Sequence, residues 1–103
     1  MSQYLITCIV EKGKADKVAD AAILAGAQGA TILGARGKGV REKLIALQQF
    51  IQIEKEVILI VVQEEQKQAI FDAVALAAQL KIPGRGFAYV QAVEQASGFF
   101  KLK

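Results

Sequence analysis

Apolar positions repeat at two different spacings along this chain, and each spacing predicts a type of element. Residues 4–10 are apolar and rich in β-branched side chains, which predicts a first strand. In residues 14–25 the apolar positions return at helical spacing, on a stripe formed by Ala15, Val18, Ala22 and Ala25. Asp16 favours the positive end of this helix, and Gly26 predicts where it stops.

The same order of elements recurs in the second half of the chain. Residues 29–33 predict a second strand, which runs into the glycine-rich residues 34–39. Residues 57–62 form a continuous apolar run, typical of a strand buried on both faces. A second helix is predicted after this strand, with Glu64 and Glu65 in its first turn, where they favour the helix dipole. Its apolar residues at helical spacing are Ile70, Ala73, Val74, Ala77 and Leu80. Pro83 is expected to enforce the end of this helix, and residues 87–93 predict a fourth strand.

Two β-α-β units in series predict an α+β fold of the ferredoxin-like type. In that arrangement the four strands form one antiparallel sheet, and both helices cover the same sheet face. Successive strand residues point to opposite faces, yet the first and third strands are apolar on both. The face without helices therefore needs a cover, and another copy of the chain is the one available. A homo-oligomer is predicted.

Composition and charge narrow the class of protein. With 103 residues, the chain is expected to form a single domain over residues 1–103. It is 53% hydrophobic and 22% charged, as folded domains are, and its net charge of +3 is too mild to indicate nucleic-acid binding. No targeting segment or membrane span is apparent, because the apolar run of residues 4–10 is too short. We expect a cytoplasmic protein that is not embedded in a membrane.

Residue types that support catalysis or metal binding are scarce. The chain has no histidine, the commonest general base and metal ligand, so Ser-His and Cys-His pairs are excluded. Cys8 lies in an apolar strand without a basic neighbour, which predicts a buried and inert thiol in a reducing compartment. Acidic residues, Glu54 and Glu56 among them, are expected to be solvated. The chain is interpreted as a non-enzyme without catalytic or metal-binding residues.

Two glycine-rich basic stretches are candidate anion sites. In Gly84-Arg85-Gly86, the glycines allow the backbone to approach a ligand closely. The N–H groups of such a turn can bind an anion, and Arg85 adds a positive charge. The alternative is a simple turn between a helix and a strand. Arg36-Gly37-Lys38-Gly39 lies at a strand end, where ligands often bind, and its alternative is a solvated loop. The two stretches could meet across a subunit boundary.

The connection of about residues 38–56 is long enough to be functional or disordered. It carries an amphipathic stripe suited to a groove on a partner protein, and the alternative is that this stripe packs on its own oligomer. The predicted partner-binding residues are Val40, Arg41, Leu44, Leu47, Phe50 and Ile51. The connection has no Tyr, Ser or Thr, so regulation by modification of a loop hydroxyl is excluded.

Several motifs, in order and spacing, resemble the PII signal-transduction proteins over residues 4–98. They are Gly29-Ala30-Thr31-Ile32, Arg36-Gly37-Lys38-Gly39, residues 56–62, and Gly84-Arg85-Gly86 followed by residues 87–95. The resemblance implies a ferredoxin-like trimer that binds ATP, ADP or AMP between subunits, with no covalent cofactor and the need for Mg²⁺ left open. It also implies regulation of a transporter, an enzyme or a transcription factor through the loop. The implied nucleotide-binding residues are Thr31, Gly37, Lys38, Gly39, Gly84, Arg85 and Gly86.

The chain also departs from the pattern of that family. Arg85 stands where an acidic residue is usual, Phe87 replaces a phosphate-binding lysine, and Val40 replaces an arginine at the base of the loop. We interpret the chain as a divergent PII-like regulator, and the alternative is an oligomeric scaffold that has lost nucleotide binding. RNA binding on the sheet is not expected, because Tyr4, Phe87 and Tyr89 are scattered.

Overall fold

The computed structural model describes residues 2–37 and 54–98. Its elements are β1 (Gln3–Glu11), α1 (Ala15–Leu24), β2 (Thr31–Arg36), β3 (Glu54–Gln63), α2 (Glu64–Ala77) and β4 (Gly86–Val93). The strands form one antiparallel sheet in the order β2-β3-β1-β4. The predicted ferredoxin-like α+β fold is confirmed, with β1 and β3 as the central pair.

The hydrophobic core lies between the sheet and the two helices. One side of the central strands is fully buried, through Ile6, Cys8, Val10, Ile58, Ile60 and Val62. The helices contribute Ala15, Val18, Ala22, Ile70 and Val74, which are buried members of the two predicted stripes. The other predicted members, Ala25, Ala73, Ala77 and Leu80, are half-buried, and Leu80 lies beyond the end of α2. Burial raises the pKa of Cys8 to about 11, so the thiol stays protonated and unreactive at neutral pH.

The other side of the sheet, which we call the open face, is apolar and lacks a cover among the described residues. Its central part consists of Leu5, Thr7, Ile9, Val57, Leu59 and Val61, of which only Thr7 is buried. On the edge strands it carries Leu33, Phe87 and Tyr89, which are 47%, 62% and 40% exposed. The predicted two-sided apolar character of β1 and β3 is therefore present in the structure.

Strand β2 begins and ends later than its sequence pattern predicts. It starts at Thr31 and continues through Gly34 to Arg36, because these residues pair with β3. The same pairing includes Glu54–Glu56 in β3, although the sequence pattern assigned these residues to the long connection. Hydrogen bonds from a neighbouring strand thus extend both elements into stretches with weak strand propensity.

Helix α2 ends at Ala77, three residues before the predicted Leu80 and well ahead of Pro83. Gln79 takes a left-handed conformation with φ 56°, and two hydrogen bonds close the helix end. They run from the Gln79 N–H to the Leu76 carbonyl and from the Leu80 N–H to the Ala75 carbonyl, each 3.1 Å long. This Schellman motif, not the proline, terminates α2.

Helix α1 is closed in the same way just after Leu24, with Gly26 as the stop residue that the sequence predicted. Gly26 has φ 120°, and the N–H groups of Gly26 and Ala27 donate to the carbonyls of Ile23 and Ala22. Gly26 is also where the two helices connect, since its carbonyl accepts a hydrogen bond of 2.9 Å from the Gln66 amide. Because Gln66 lies in the first turn of α2, the end of α1 and the start of α2 are neighbours.

We predict that Gly86→Ala destabilises the fold by about 1–3 kcal/mol. A Cβ atom at Gly86 would lie 2.6 Å from the Ile9 carbonyl oxygen, which belongs to the backbone of the adjacent strand. Gly34→Ala is the matched control in β2, since a Cβ atom there meets no atom within 4 Å. Urea unfolding of both variants measures the difference, and equal losses of stability would contradict this account of Gly86.

Candidate functional site

The candidate site lies at the end of the sheet where β2 and β1 finish, at Arg36 and Glu11, and where β3 and β4 start, at Glu54 and Gly86. We call this the loop end. Gly37 and the turn of residues 84–86 both lie there, but on opposite edges of the sheet. Three strand spacings of ~4.8 Å separate those edges by about 14 Å. Within one chain the two predicted glycine-rich turns therefore do not close around one small ligand.

Thr31 lies at the far end of β2, where it pairs with Leu59 and is exposed. It is separated from Arg36 by the length of β2, about 17 Å at ~3.4 Å per residue. One chain thus does not bring Thr31 to the loop end. The other predicted residues lie outside the described part of the chain, namely Lys38 and Gly39 of the nucleotide set and Val40, Arg41, Leu44, Leu47, Phe50 and Ile51 of the loop.

The turn at residues 82–85 has the features of a type II β-turn. Pro83 occupies the second position, Gly84 follows with φ 85°, and the Arg85 N–H donates to the Ile82 carbonyl over 3.2 Å. The turn explains why residue 84 is a glycine, because its positive φ suits a residue without a Cβ atom. The close approach of β1 explains why residue 86 is a glycine, because a Cβ atom there would collide with the Ile9 carbonyl oxygen. Since the Arg85 N–H is already bonded, an anion at this turn would be bound by the exposed Arg85 side chain and not by that amide.

An open depression of about 420 Å³ lies at the loop end beside β2. Its lining residues are Lys12, Gly34, Ala35, Arg36, Glu54, Lys55 and Glu56. The lining therefore includes three cationic and two anionic side chains. Lys12 Nζ lies 2.9 Å from Glu54 Oε1, and the hydrogen bond and charge of Glu54 raise the pKa of Lys12. Both side chains are more than half exposed, so this ion pair contributes little to the stability of the fold. Its main effect is to place two charged groups in the wall of the depression.

Glu56 has a structural role that the sequence analysis missed. Its Oε1 accepts hydrogen bonds from the N–H groups of Gly13 at 2.9 Å and Ala15 at 3.0 Å. The N-cap residue of α1, Lys14, makes no side-chain cap, so a carboxylate from β3 satisfies N–H groups at the helix start. Glu56 was predicted to be solvated, and it is instead half-buried and bonded. The signal was its spacing of two residues from Ile58, which turns it towards the helices.

The prediction that the aromatic residues are scattered is wrong for two of the three. Phe87 and Tyr89 are neighbours on the open face of β4, with ring centroids 5.6 Å apart. Tyr4 lies on the helix side, where Lys67 Nζ is 3.9 Å from the centre of its ring. The position that would carry a phosphate-binding lysine in the resembled family is thus an exposed aromatic side chain that contacts a second one.

Metal-binding and membrane-spanning features can be assessed for residues 2–37 and 54–98. Over these residues, no group of three His, Cys, Asp or Glu side chains could hold a metal ion. Neither helix of this part of the chain has the length and hydropathy of a transmembrane segment.

Comparison with known proteins identifies the family. The model of the family "Nitrogen regulatory protein P-II" matches residues 3–99. The chain belongs to the P-II family. The resemblance seen in the motifs is thereby confirmed, and a search of curated proteins returned no match. A solved structure similar to this P-II chain is that of Arabidopsis thaliana PII bound to citrate. It is 20% identical with a TM-score of 0.65, over 86% of this chain and 75% of that one, which shows the shared fold.

We predict that Glu56→Ala lowers the free energy of unfolding by about 1–2 kcal/mol, because N–H groups at the start of α1 lose their acceptor. Glu56→Gln keeps an acceptor oxygen and should lose less. Glu11→Ala is the control, since this exposed carboxylate at the end of β1 lies outside the cap. Chemical denaturation of the three variants gives the comparison, and a Glu56→Ala protein as stable as the control would refute the capping role.

Proposed function

We propose that this P-II family protein is a signalling protein that binds an adenine nucleotide between the subunits of a homo-oligomer, a trimer by resemblance. The observation that carries the proposal is the position of the two glycine-rich turns, at the same end of the sheet but on opposite edges. A second copy that places its β4 edge beside the β2 edge of the first brings the two turns together. The cleft between copies then contains Gly37 from one and Gly84, Arg85 and Gly86 from the other.

Charge at the loop end supports an anionic effector. Lys12, Arg36 and Lys55 line the depression, and Arg85 is exposed at the start of β4. The solved Arabidopsis PII holds citrate, a tricarboxylate, which supports small polyvalent anions as an effector class for this fold. For this chain we propose ATP, ADP or AMP, contacted by Lys38 and Gly39 in addition to the two turns. Thr31, at the far end of β2, would contact the part of the nucleotide that lies away from the turns.

The effector in turn regulates a partner protein through residues 38–56. A ligand shifts a conformational equilibrium only if it binds one of the two states more tightly than the other. The effector therefore promotes partner binding if both favour the same state of this region, and it opposes partner binding if they favour different states. The partner is a transporter, an enzyme or a transcription factor, as the family resemblance implies, and the chain acts in the cytoplasm by binding and not by catalysis. Because the connection has no hydroxyl side chain, the effector is the switch.

A second candidate function is an oligomeric scaffold without a nucleotide. The exposed Phe87, at a position that would carry a lysine, favours it, as does the Arg85 N–H that is already bonded within the turn. Both functions share the fold and the oligomer, and they differ in whether any nucleotide binds.

We predict that one of ATP, ADP or AMP raises the melting temperature by about 5 °C or more at saturating concentration, and that Arg85→Ala abolishes the rise. The screen includes citrate and is run with and without Mg²⁺. Arg85→Lys tests whether charge alone suffices, and Lys17→Ala, which removes an exposed cation on α1, is the control. A well-folded oligomer whose melting temperature no nucleotide changes would favour the scaffold.

We predict that Leu59→Lys dissociates the oligomer. Leu59 lies at the centre of the open face, and a charge buried there between copies would lack a partner. Leu24→Lys is the matched control, because Leu24 is 90% exposed on α1. Sedimentation equilibrium of both variants and of the wild type reads the assembly state. A wild-type chain that sediments as a monomer would refute the proposed cover of the open face.

A further inference from the structure

The turn between β1 and α1 supplies one wall of the depression at the loop end, through the side chain of Lys12. This turn contains Gly13, which has φ 95° and can adopt many other conformations. Three hydrogen bonds hold it against β3. Two are those of Glu56 Oε1 with the N–H groups of Gly13 and Ala15, and the third joins the Lys12 N–H to the Glu54 carbonyl over 3.3 Å.

We infer that Glu56 is a positioning residue for Lys12, and that Lys12 contacts the anionic effector in this depression. The inference rests on the proposed function, since it concerns the same end of the sheet. It adds a residue pair that neither the motifs nor the resemblance assigned. Glu56 also lines the depression, and its charge contributes to the raised pKa of Lys12, but in this account its role is to hold the backbone of residues 13–15 and not to bind the effector.

The geometry around Glu56 favours this division of roles. Both N–H donors share one carboxylate oxygen, so the negative charge of Glu56 lies at the positive end of α1. A charge compensated in this way opposes an incoming anion less than a free carboxylate would. Across the sheet Glu56 pairs with Gly34, and the absence of a side chain there leaves the depression open beside it.

Lys12 is suited to the binding role because its side chain is exposed and the Glu54 carboxylate paired with it is also more than half exposed. The Lys12–Glu54 pair has side-chain exposures of 67% and 54%, so an anion can approach Lys12 from solvent while Glu54 remains beside it. The backbone from which Lys12 extends is fixed by Glu56, over a sequence separation of 43 residues to Gly13. Without Glu56 the ammonium group of Lys12 would keep its charge, but the backbone that holds it beside the depression would no longer be fixed.

A double-mutant cycle on the full chain tests the inference, with binding of ATP and of citrate measured by calorimetry. We expect Lys12→Gln and Glu56→Ala each to weaken binding of the better probe by about tenfold, the loss of one charge-assisted contact. The double variant should bind no more weakly than Lys12→Gln alone, because Glu56 acts only through Lys12. Glu56→Gln, which keeps an acceptor oxygen, should restore most of the affinity. Lys14→Gln, a neighbouring cation outside the depression, is the control.

Hydrogen exchange provides a second measurement that separates positioning from binding. The amides of Gly13 and Ala15 should exchange faster in Glu56→Ala and at the wild-type rate in Lys12→Gln. If Glu56→Ala does not fold, Glu56→Asp replaces it in the cycle, because the shorter side chain keeps the charge but withdraws the acceptor.

Three outcomes would overturn the inference. Glu56→Ala could weaken binding as much in the Lys12→Gln background as in the wild type, which would show that its effect does not pass through Lys12. If the amides of Gly13 and Ala15 exchanged faster in Glu56→Ala while the affinity for the probe stayed unchanged, Glu56 would be a structural cap without a role in binding. A wild type that binds neither probe would refute the proposed effector site itself, and that failure is distinguishable because the other two outcomes require a wild type that binds.

Discussion

The antiparallel pairing of β1 with β3 is the constraint on which the rest of this structure depends. The register runs from Gln3 opposite Gln63 to Glu11 opposite Lys55, so both central strands present the same alternation to the same side. In one set of alternate residues, the aliphatic side chains and Cys8 are fully buried under the helices, and full burial of each large aliphatic side chain contributes about 1.5–3 kcal/mol. The other set is also apolar and forms the open face. Core, open face and loop end are therefore consequences of one register.

That register also brings distant segments together at the loop end. Because Val10 is opposite Glu56, the carboxylate that follows the long connection comes to the start of α1. Of the polar contacts there, the cap on the N–H groups of Gly13 and Ala15 matters more than the exposed Lys12–Glu54 pair, which solvent screens. Burial determines the fold, and the cap determines how the turn before α1 sits against β3.

The candidate site is divided between two edges of the sheet, and this division links assembly to function. A single chain offers Gly37 on one edge and Gly84 to Gly86 on the other, so the proposed nucleotide site is complete only between copies. The apolar open face supplies a reason for copies to associate, and the cations at the loop end supply a reason for an anion to bind there. The chain belongs to the P-II family, and the exposed side chains of Arg85 and Phe87 lie at the loop end on the β4 edge.

The sequence by itself determined the order of elements, the helical stripes, the end of α1 at Gly26, the two-sided apolar strands and the family. These depend on local spacing and on residue types, which a linear pattern contains. Only the tertiary structure decided that β2 continues to Arg36, that α2 ends at Ala77 before a left-handed Gln79, that Glu56 caps α1, and that Phe87 and Tyr89 are neighbours. The strand extension and the cap involve partners far away in the sequence, so no local pattern could show them. The left-handed Gln79 is different, because this conformation is costly for any residue with a Cβ atom, and here the hydrogen bonds that close the helix and the packing of Leu80 on the core offset the cost.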